Sequence, residues 1–252
     1  MEKRNSRRRQ GKLYVVGIGP GGIKDRTRRA EDAIRESSVV AGYTGYLELI
    51  EDLTEGKETI ASGMTREVER CRAALERAAA GEVVSLVSSG DPGVYGMAGL
   101  ALEMAAELKI KVPVEIVPGI TSATAAAAKL GAPLMLDFAA ISLSDLLVPW
   151  DTIKERLTAA AIADFVTVLY NPRSSKRKKH FEEAVWIFRT VRPGSTPVGI
   201  ATAVGRGGEK ITITDLDHIF DHEIDMKSIV TIGNRSSKKI GRWFITPRGY
   251  RL

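Results

Sequence analysis

The stretch Ser88-Ser89-Gly90-Asp91-Pro92-Gly93-Val94-Tyr95-Gly96 constrains this chain more than any other. It follows an apolar run, Val83-Val84-Ser85-Leu86-Val87, that reads as a buried strand. It precedes an Ala/Leu/Met-rich stretch, Met97 to Leu108, that reads as a helix. A strand therefore ends in a loop of glycines, a proline and one carboxylate, and a helix starts directly after it. In α/β folds, ligands collect at the carboxyl ends of strands, where backbone groups are free. Small residues let a ligand approach the backbone, and Asp91 offers a fixed acceptor for hydroxyls or amines. The same stretch also reads as a tight strand-to-helix turn with no ligand.

The rest of the first half repeats this alternation. Leu13 to Ile18 reads as a strand ending in Gly17-Ile18-Gly19-Pro20-Gly21-Gly22, followed by a helix over Thr27 to Glu36 and a short strand, Val39 to Ala41. A helix over 65–80 follows, with Met64, Val68, Cys71, Leu75 and Ala78 expected on one apolar face and Gly81 as the residue that ends it. Val114 to Val117 makes another strand, closed by Pro118-Gly119, after which Thr121-Ser122 opens an Ala-rich helix to Leu130. Strand and helix in alternation predict an α/β domain with a largely parallel sheet.

The second half changes character. Strands are expected at 140–143, 165–170, 198–204, 211–214 and 228–232, with helices at 152–162 and 176–191. Gly205-Arg206-Gly207-Gly208 between two of the strands predicts an antiparallel hairpin, hence a mixed sheet. The domains are placed at 12–120 and 121–252, behind a disordered basic tail, 1–11.

Charge and cysteine content narrow the partners. Six basic residues against one acidic residue within positions 1–12 carry +5 of the net +6, leaving the remaining chain at +1. A body so nearly neutral is not expected to bind nucleic acid, although the tail alone could touch RNA or an acidic partner. No apolar run approaches the length of a membrane span, and no apolar core follows the basic N-terminus as in a signal peptide. A single cysteine, Cys71, fits a reducing, cytoplasmic setting and is expected to pack rather than react.

Several common chemistries are excluded or weakened. Gly17, Gly19 and Gly22 have dinucleotide-fold spacing, but the second strand ends Val39-Val40-Ala41-Gly42-Tyr43, without the carboxylate a ribose needs. Pro20 also removes an N–H from the loop that would cradle a pyrophosphate. There is no P-loop and no Gly-x-Ser-x-Gly elbow. His218 and His222 stand four apart in an acidic segment, which is read as a solvated loop or short helix with no metal. No nucleophile–base pair, and so no catalytic residue, is apparent.

Taken together, the loops Gly17-Ile18-Gly19-Pro20-Gly21, Ser89 to Gly96 and Pro118-Gly119-Ile120-Thr121-Ser122-Ala123 resemble, in order and spacing, the tetrapyrrole (corrin/porphyrin) methylase family. The resemblance runs from about Lys12 to the C-terminus. Further stretches resemble the branch that methylates C17 of a precorrin-3B or cobalt-precorrin-3 macrocycle and contracts the ring in cobalamin synthesis. They are Gly42-Tyr43-Thr44-Gly45-Tyr46-Leu47, Ser62-Gly63-Met64-Thr65-Arg66-Glu67, Leu169-Tyr170-Asn171-Pro172-Arg173-Ser174 and Ile245-Thr246-Pro247-Arg248-Gly249-Tyr250. The first loop departs from the commoner family form, with Gly22 where an aspartate often stands and Arg28-Arg29 where leucine is frequent.

The resemblance implies a homodimer of two α/β domains, with S-adenosylmethionine as methyl donor held between the domains, largely by backbone groups. The matching donor positions are Pro20, Ser89, Gly90, Asp91, Val94, Thr121, Ser122, Tyr170 and Ala203. Thr121 also reads as a simple helix cap, and Tyr170 as a core residue at a strand end. A tetrapyrrole substrate rich in carboxylates would meet Gly21, Gly22 and Arg173, with Lys176 to Lys179 reading either as further contacts or as a solvated face. A sibling enzyme for C11 or C20, a ribosomal-RNA ribose methyltransferase on the same fold and a non-catalytic nucleic-acid-binding module remain as alternatives.

Overall fold

The computed structural model describes residues 11–174, 177 and 179–251. The basic tail, apart from Gly11, lies outside the described residues, as do Lys176 and Lys178. The chain divides into two compact units, Met1–Thr121 and Ser122–Leu252.

The first unit is built in the order β1 (Lys12–Gly17), α1 (Arg28–Glu36), β2 (Val39–Tyr43), α2 (Thr44–Leu47), α3 (Glu51–Thr54), β3 (Glu58–Ser62), α4 (Glu67–Ala79), β4 (Val83–Ser88), α5 (Ala98–Glu107) and β5 (Val114–Val117). The five strands form one sheet in the order β3-β2-β4-β1-β5, and every pairing is parallel. Successive residues of a strand face opposite sides, and the central strands β1, β2 and β4 are buried on both. Leu13, Val15, Val39, Ala41, Val84 and Leu86 pack with Cys71, Leu75 and Ala78 of α4 and Ala101 and Met104 of α5. Tyr14, Val16, Val40 and Val87 pack on the other face with Ala30, Ala33 and Ile34 of α1. Strands covered on both sides have no polar face to show, which is why β1 and β4 read as continuous apolar runs. Because the sheet is wholly parallel, the five loops that leave the carboxyl ends of its strands share one edge.

The apolar stripe expected on 65–80 is only partly realised. Thr65 lies in the left-handed region (φ 63°) and Arg66 after it is also non-helical (φ −110°, ψ 29°), so the helix begins at Glu67. Met64 and Val68 are 62% and 54% exposed, while Arg70, Cys71, Ala74, Leu75 and Ala78 are buried. The buried stripe is therefore rotated about the helix axis, with an arginine inside it and a valine outside. Burial pushes the Cys71 thiol up to about 11. Gly81, at φ 102°, ends the helix in the conformation a side chain resists.

The second unit runs α6 (Ser122–Leu130), β6 (Gly131–Ala132), β7 (Phe138–Ser142), α7 (Trp150–Ile162), β8 (Val166–Tyr170), α8 (Lys179–Arg189), β9 (Pro197–Thr202), β10 (Lys210–Asp215), β11 (Ser228–Ile232), β12 (Lys238–Ile240) and β13 (Trp243–Ile245). Its main sheet is mixed, in the order β10-β9-β11-β8-β7: β7 and β8 are parallel and the other pairings antiparallel. The expected hairpin is β9–β10. A small sheet, β12-β13-β6, completes the unit. One sheet face packs on α7 and α8 through Leu157, Phe181, Val185 and Phe188. At Gly199 an added Cβ would stand 2.4–2.6 Å from the methyl carbons of Leu130, so α6 lies against the bare backbone of β9.

Candidate functional site

Three loops at the carboxyl edge of the first sheet lock together through their main chains. Gly19 and Gly90 form an antiparallel bridge, with Gly90 N–H donating to Gly19 O at 2.7 Å and Gly19 N–H to Gly90 O at 3.1 Å. A Cβ on Gly17 would meet Gly90 O at 2.6 Å, Gly119 N at 2.7 Å and the Pro92 ring at 2.7 Å. A Cβ on Gly119 would collide with Gly90 O and with the carbonyl of Gly17. Three glycines from β1, β4 and β5 therefore meet where no side chain fits. The result is a floor of main chain, and only glycine permits backbones to approach so closely.

Asp91 ties this floor together. Its Oδ1 accepts from Gly93 N–H at 2.8 Å, and its Oδ2 accepts from Gly119 N–H at 3.0 Å. One carboxylate thus turns its own loop and holds the neighbouring one. The loop closes further through Ala98 N–H to Pro92 O (2.9 Å) and Met97 N–H to Ser88 Oγ (3.3 Å). On the far side, Thr27 Oγ1 accepts from Ala30 N–H at 3.1 Å to cap α1 and donates to Pro118 O at 3.4 Å. A carboxylate has about four lone-pair sites, so Asp91 retains acceptor capacity beyond these two bonds.

The expected donor positions fall into two groups. Pro20, Ser89, Gly90, Asp91, Val94 and Thr121 belong to the loops of the first unit's floor; Pro20 and Gly90 are buried and the other four partly exposed. Gly21 and Gly22 follow on the β1 loop, partly exposed, and Gly22 precedes a short 3-10 turn at Ile23–Asp25.

Ser122, Tyr170 and Ala203 belong to the second unit. The buried Tyr170 hydroxyl accepts from Ala123 N–H at 3.0 Å, satisfying a free donor in the first turn of α6. Ala203 follows β9 at φ 52°, an uncommon conformation for a residue with a side chain. Because β8 and β9 run the same way, Tyr170 and Ala203 sit on one edge of their sheet, separated by β11. Arg173 lies beyond that edge and pairs at long range, 4.0 Å, with Glu182. Asn171 (φ 50°) donates from Nδ2 to Ser142 Oγ at 2.9 Å, joining the ends of β7 and β8.

Elsewhere, the acidic segment around His218 forms local pairs. His218 Nδ1 lies 2.7 Å from Asp215 Oδ1, a hydrogen bond that raises the imidazole's affinity for a proton. Among the described residues, no group of three or more His, Cys, Asp or Glu side chains is gathered as a metal ion requires. No helix of the described residues is long and apolar enough to cross a membrane.

Two features of the first unit escape sequence reasoning. The packing role of Gly17 and Gly119 depends on contacts between loops about 100 residues apart. The burial of Arg70 follows from the rotated face of α4, which residue spacing alone did not reveal.

With this geometry in view, the chain belongs to the tetrapyrrole (corrin/porphyrin) methylases, whose family model matches residues 12–219. It is 46% identical over 240 residues to a probable cobalt-factor III C(17)-methyltransferase of Salmonella typhimurium, covering 95% of this chain and 100% of that protein. Its fold matches the crystal structure of the methyltransferase CobJ with a TM-score of 0.88 and 36% identity, over 94% of this chain and 100% of that one. A uroporphyrin-III C-methyltransferase from Thermus thermophilus, solved with S-adenosylhomocysteine, matches with a TM-score of 0.67 and 25% identity, over 88% of this chain and 92% of that one.

Proposed function

We propose that this chain transfers a methyl group from S-adenosylmethionine to C17 of a tetrapyrrole at the cobalt-factor III or precorrin-3B level, with ring contraction, in cobalamin biosynthesis. The observation that carries the reading is the match, over the whole length of the relative, to the Salmonella C(17)-methyltransferase. The main-chain floor supports the donor half of it. Backbone N–H and C=O groups with no intervening Cβ suit a ligand that presents a nucleoside and an amino-acid end.

The donor supplies an electrophilic methyl on a sulfonium, and the macrocycle carbon is already nucleophilic, so the transfer itself needs little acid–base help. The task left to the protein is alignment, which is worth about 7–11 kcal/mol in favourable cases. A floor tied by close glycine contacts and one bridging carboxylate suits that task. In this reading Pro20, Ser89, Gly90, Asp91, Val94, Thr121, Ser122, Tyr170 and Ala203 bind the donor, and Gly21, Gly22 and Arg173 bind the substrate. The proposal also includes functional domains at 12–120 and 121–252, a homodimer and a cytoplasmic setting. The homodimer rests on the family resemblance, and the setting on the single cysteine.

Incubation with 13C-methyl donor and cobalt-factor III, read by NMR, tests the reaction: a labelled methyl at C17 is expected. Label at C11 or C20 would assign the chain to a sibling reaction, and no transfer to any macrocycle would overturn the reading. Calorimetry with S-adenosylhomocysteine on the wild type and Asp91→Ala tests the donor site, with binding expected in the first and lost in the second.

A further inference from the structure

Among the described residues three arginines are buried, and two of them have a carboxylate partner. Arg26 makes a two-pronged pair with Asp52, at 2.9 and 3.1 Å. Arg192 donates to the carbonyl of Phe165 at 2.8 Å and lies 3.8 Å from Asp164. Arg70, only 5% exposed, differs from both. Its Nη1 donates to Ser62 Oγ at 2.5 Å and more weakly to Gly63 O at 3.4 Å, and its buried Nε, like that of Arg192, has no hydrogen-bond partner. No carboxylate of the described residues lies within ion-pairing distance of it. The nearby acids are engaged elsewhere: Glu67 accepts from Thr65 N–H at 3.2 Å, and Glu69 pairs with Arg66 at 2.7 Å. Arg70 also sits near the start of α4, where the helix dipole is positive and a cation is disfavoured. A buried charge without a counter-ion is among the costlier features a fold can keep.

Its position suggests what offsets that cost. Ser62 and Gly63 close β3, on the edge that also carries the glycine floor. Strands lie about 4.8 Å apart, so the end of β3, two places from β4, stands roughly 10 Å from the Asp91 loop. We propose that Arg70 anchors a peripheral carboxylate of the macrocycle at the carboxyl end of β3, while the reacting carbon meets the donor at the glycine floor. The guanidinium fork matches a carboxylate in shape and charge. The loop that supplies Ser62 and Gly63 continues into a strained turn at Thr65, at φ 63°. This assignment rests on the tetrapyrrole reading given above.

The test titrates cobalt-factor III, followed by its visible absorbance, into the wild type, Arg70→Met and Ser62→Asp, with melting temperature and S-adenosylhomocysteine affinity measured in parallel. Arg70→Met is expected to bind the macrocycle at least tenfold more weakly, with unchanged S-adenosylhomocysteine affinity and an equal or higher melting temperature. Ser62→Asp supplies an internal counter-ion, so it is expected to melt higher and also to lose at least tenfold in macrocycle affinity. Macrocycle binding within twofold of wild type in either folded variant would overturn the assignment. So would a large fall in melting temperature for Arg70→Met with normal binding by Ser62→Asp, which marks a purely structural guanidinium. A wild type that binds S-adenosylhomocysteine but not cobalt-factor III would instead overturn the substrate reading, and this inference with it.

Discussion

The carboxylate of Asp91 accepts the backbone N–H of Gly119 at 3.0 Å across 28 positions of sequence, joining the loop after β4 to the loop after β5. Its other oxygen holds Gly93 N–H within its own loop. Asp91 therefore shapes the site whether or not it also touches the donor. Asp91→Asn keeps the size but turns one acceptor into an N–H that must face another N–H. A loss of about 1–3 kcal/mol in urea unfolding is expected, together with weaker S-adenosylhomocysteine binding by calorimetry. An unchanged unfolding midpoint would show that the bridge adds nothing to stability.

Gly119→Ala addresses the floor itself. The new methyl has no space between the carbonyls of Gly90 and Gly17, so the two loops must separate. Destabilisation of at least about 1–3 kcal/mol and loss of S-adenosylhomocysteine binding are expected. Gly99→Ala is the matched control: it lies in the first turn of α5, with nothing within 4 Å of the added Cβ. It should leave donor binding intact and raise stability slightly, since alanine is favoured over glycine in a helix.

Tyr170→Phe removes only the hydroxyl that accepts Ala123 N–H. About 1 kcal/mol of stability should be lost, because a helix-start donor in a buried place goes unpaired. Thermal unfolding reads this directly. If S-adenosylhomocysteine affinity falls in proportion to more than this local loosening, the hydroxyl contributes to the donor site as well as to α6.

Asp52 is the counter-ion of the buried Arg26, whose hydrogen bonds hold its carboxyl below the usual range. A carboxyl whose folded pKa is depressed adds stability that is present above the unfolded value of about 3.9 and is lost as pH falls through the folded value. The wild type should therefore lose part of its stability only below about pH 4. Asp52→Asn should remove that part at all pH values and flatten the acid limb. Because Asp52 is half exposed, a cost of about 1–3 kcal/mol at neutral pH is expected, between that of surface and buried pairs. Urea unfolding from pH 3 to pH 7 on both proteins checks this.

Sequence patterning made the doubly covered strands legible, because β1 and β4 bury both faces and so read as apolar runs. β3 was illegible for the opposite reason. It is an edge strand, Glu58-Thr59-Ile60-Ala61-Ser62, without a buried residue, and its chain direction comes from pairing with β2 rather than from its own composition. The short strand β12 gives no signal either, since Lys238, Lys239 and Ile240 are all exposed, and β13, three residues long with only Phe244 buried, is too short to show a period. At the site, the glycine loops announced themselves by composition, whereas the use made of them did not. Gly17 and Gly119 are small because another loop's backbone lies against them, a fact that belongs to the assembled sheet. The face of α4 was misjudged because Val68 looks like a core residue by type. Its place in the first turn, beyond the turn of Thr65, leaves it nothing to pack on.

The glycine floor has a consequence for how such an enzyme can be altered. A surface made of main chain offers no side chains to exchange, so point substitution can break it but cannot retune it. Side-chain variation on this edge is available instead in the neighbouring segments, Tyr43 to Tyr46 and Ser62 to Glu67, which are partly or fully exposed. A library confined to those segments would vary the exposed side chains of this edge and leave its main-chain floor untouched.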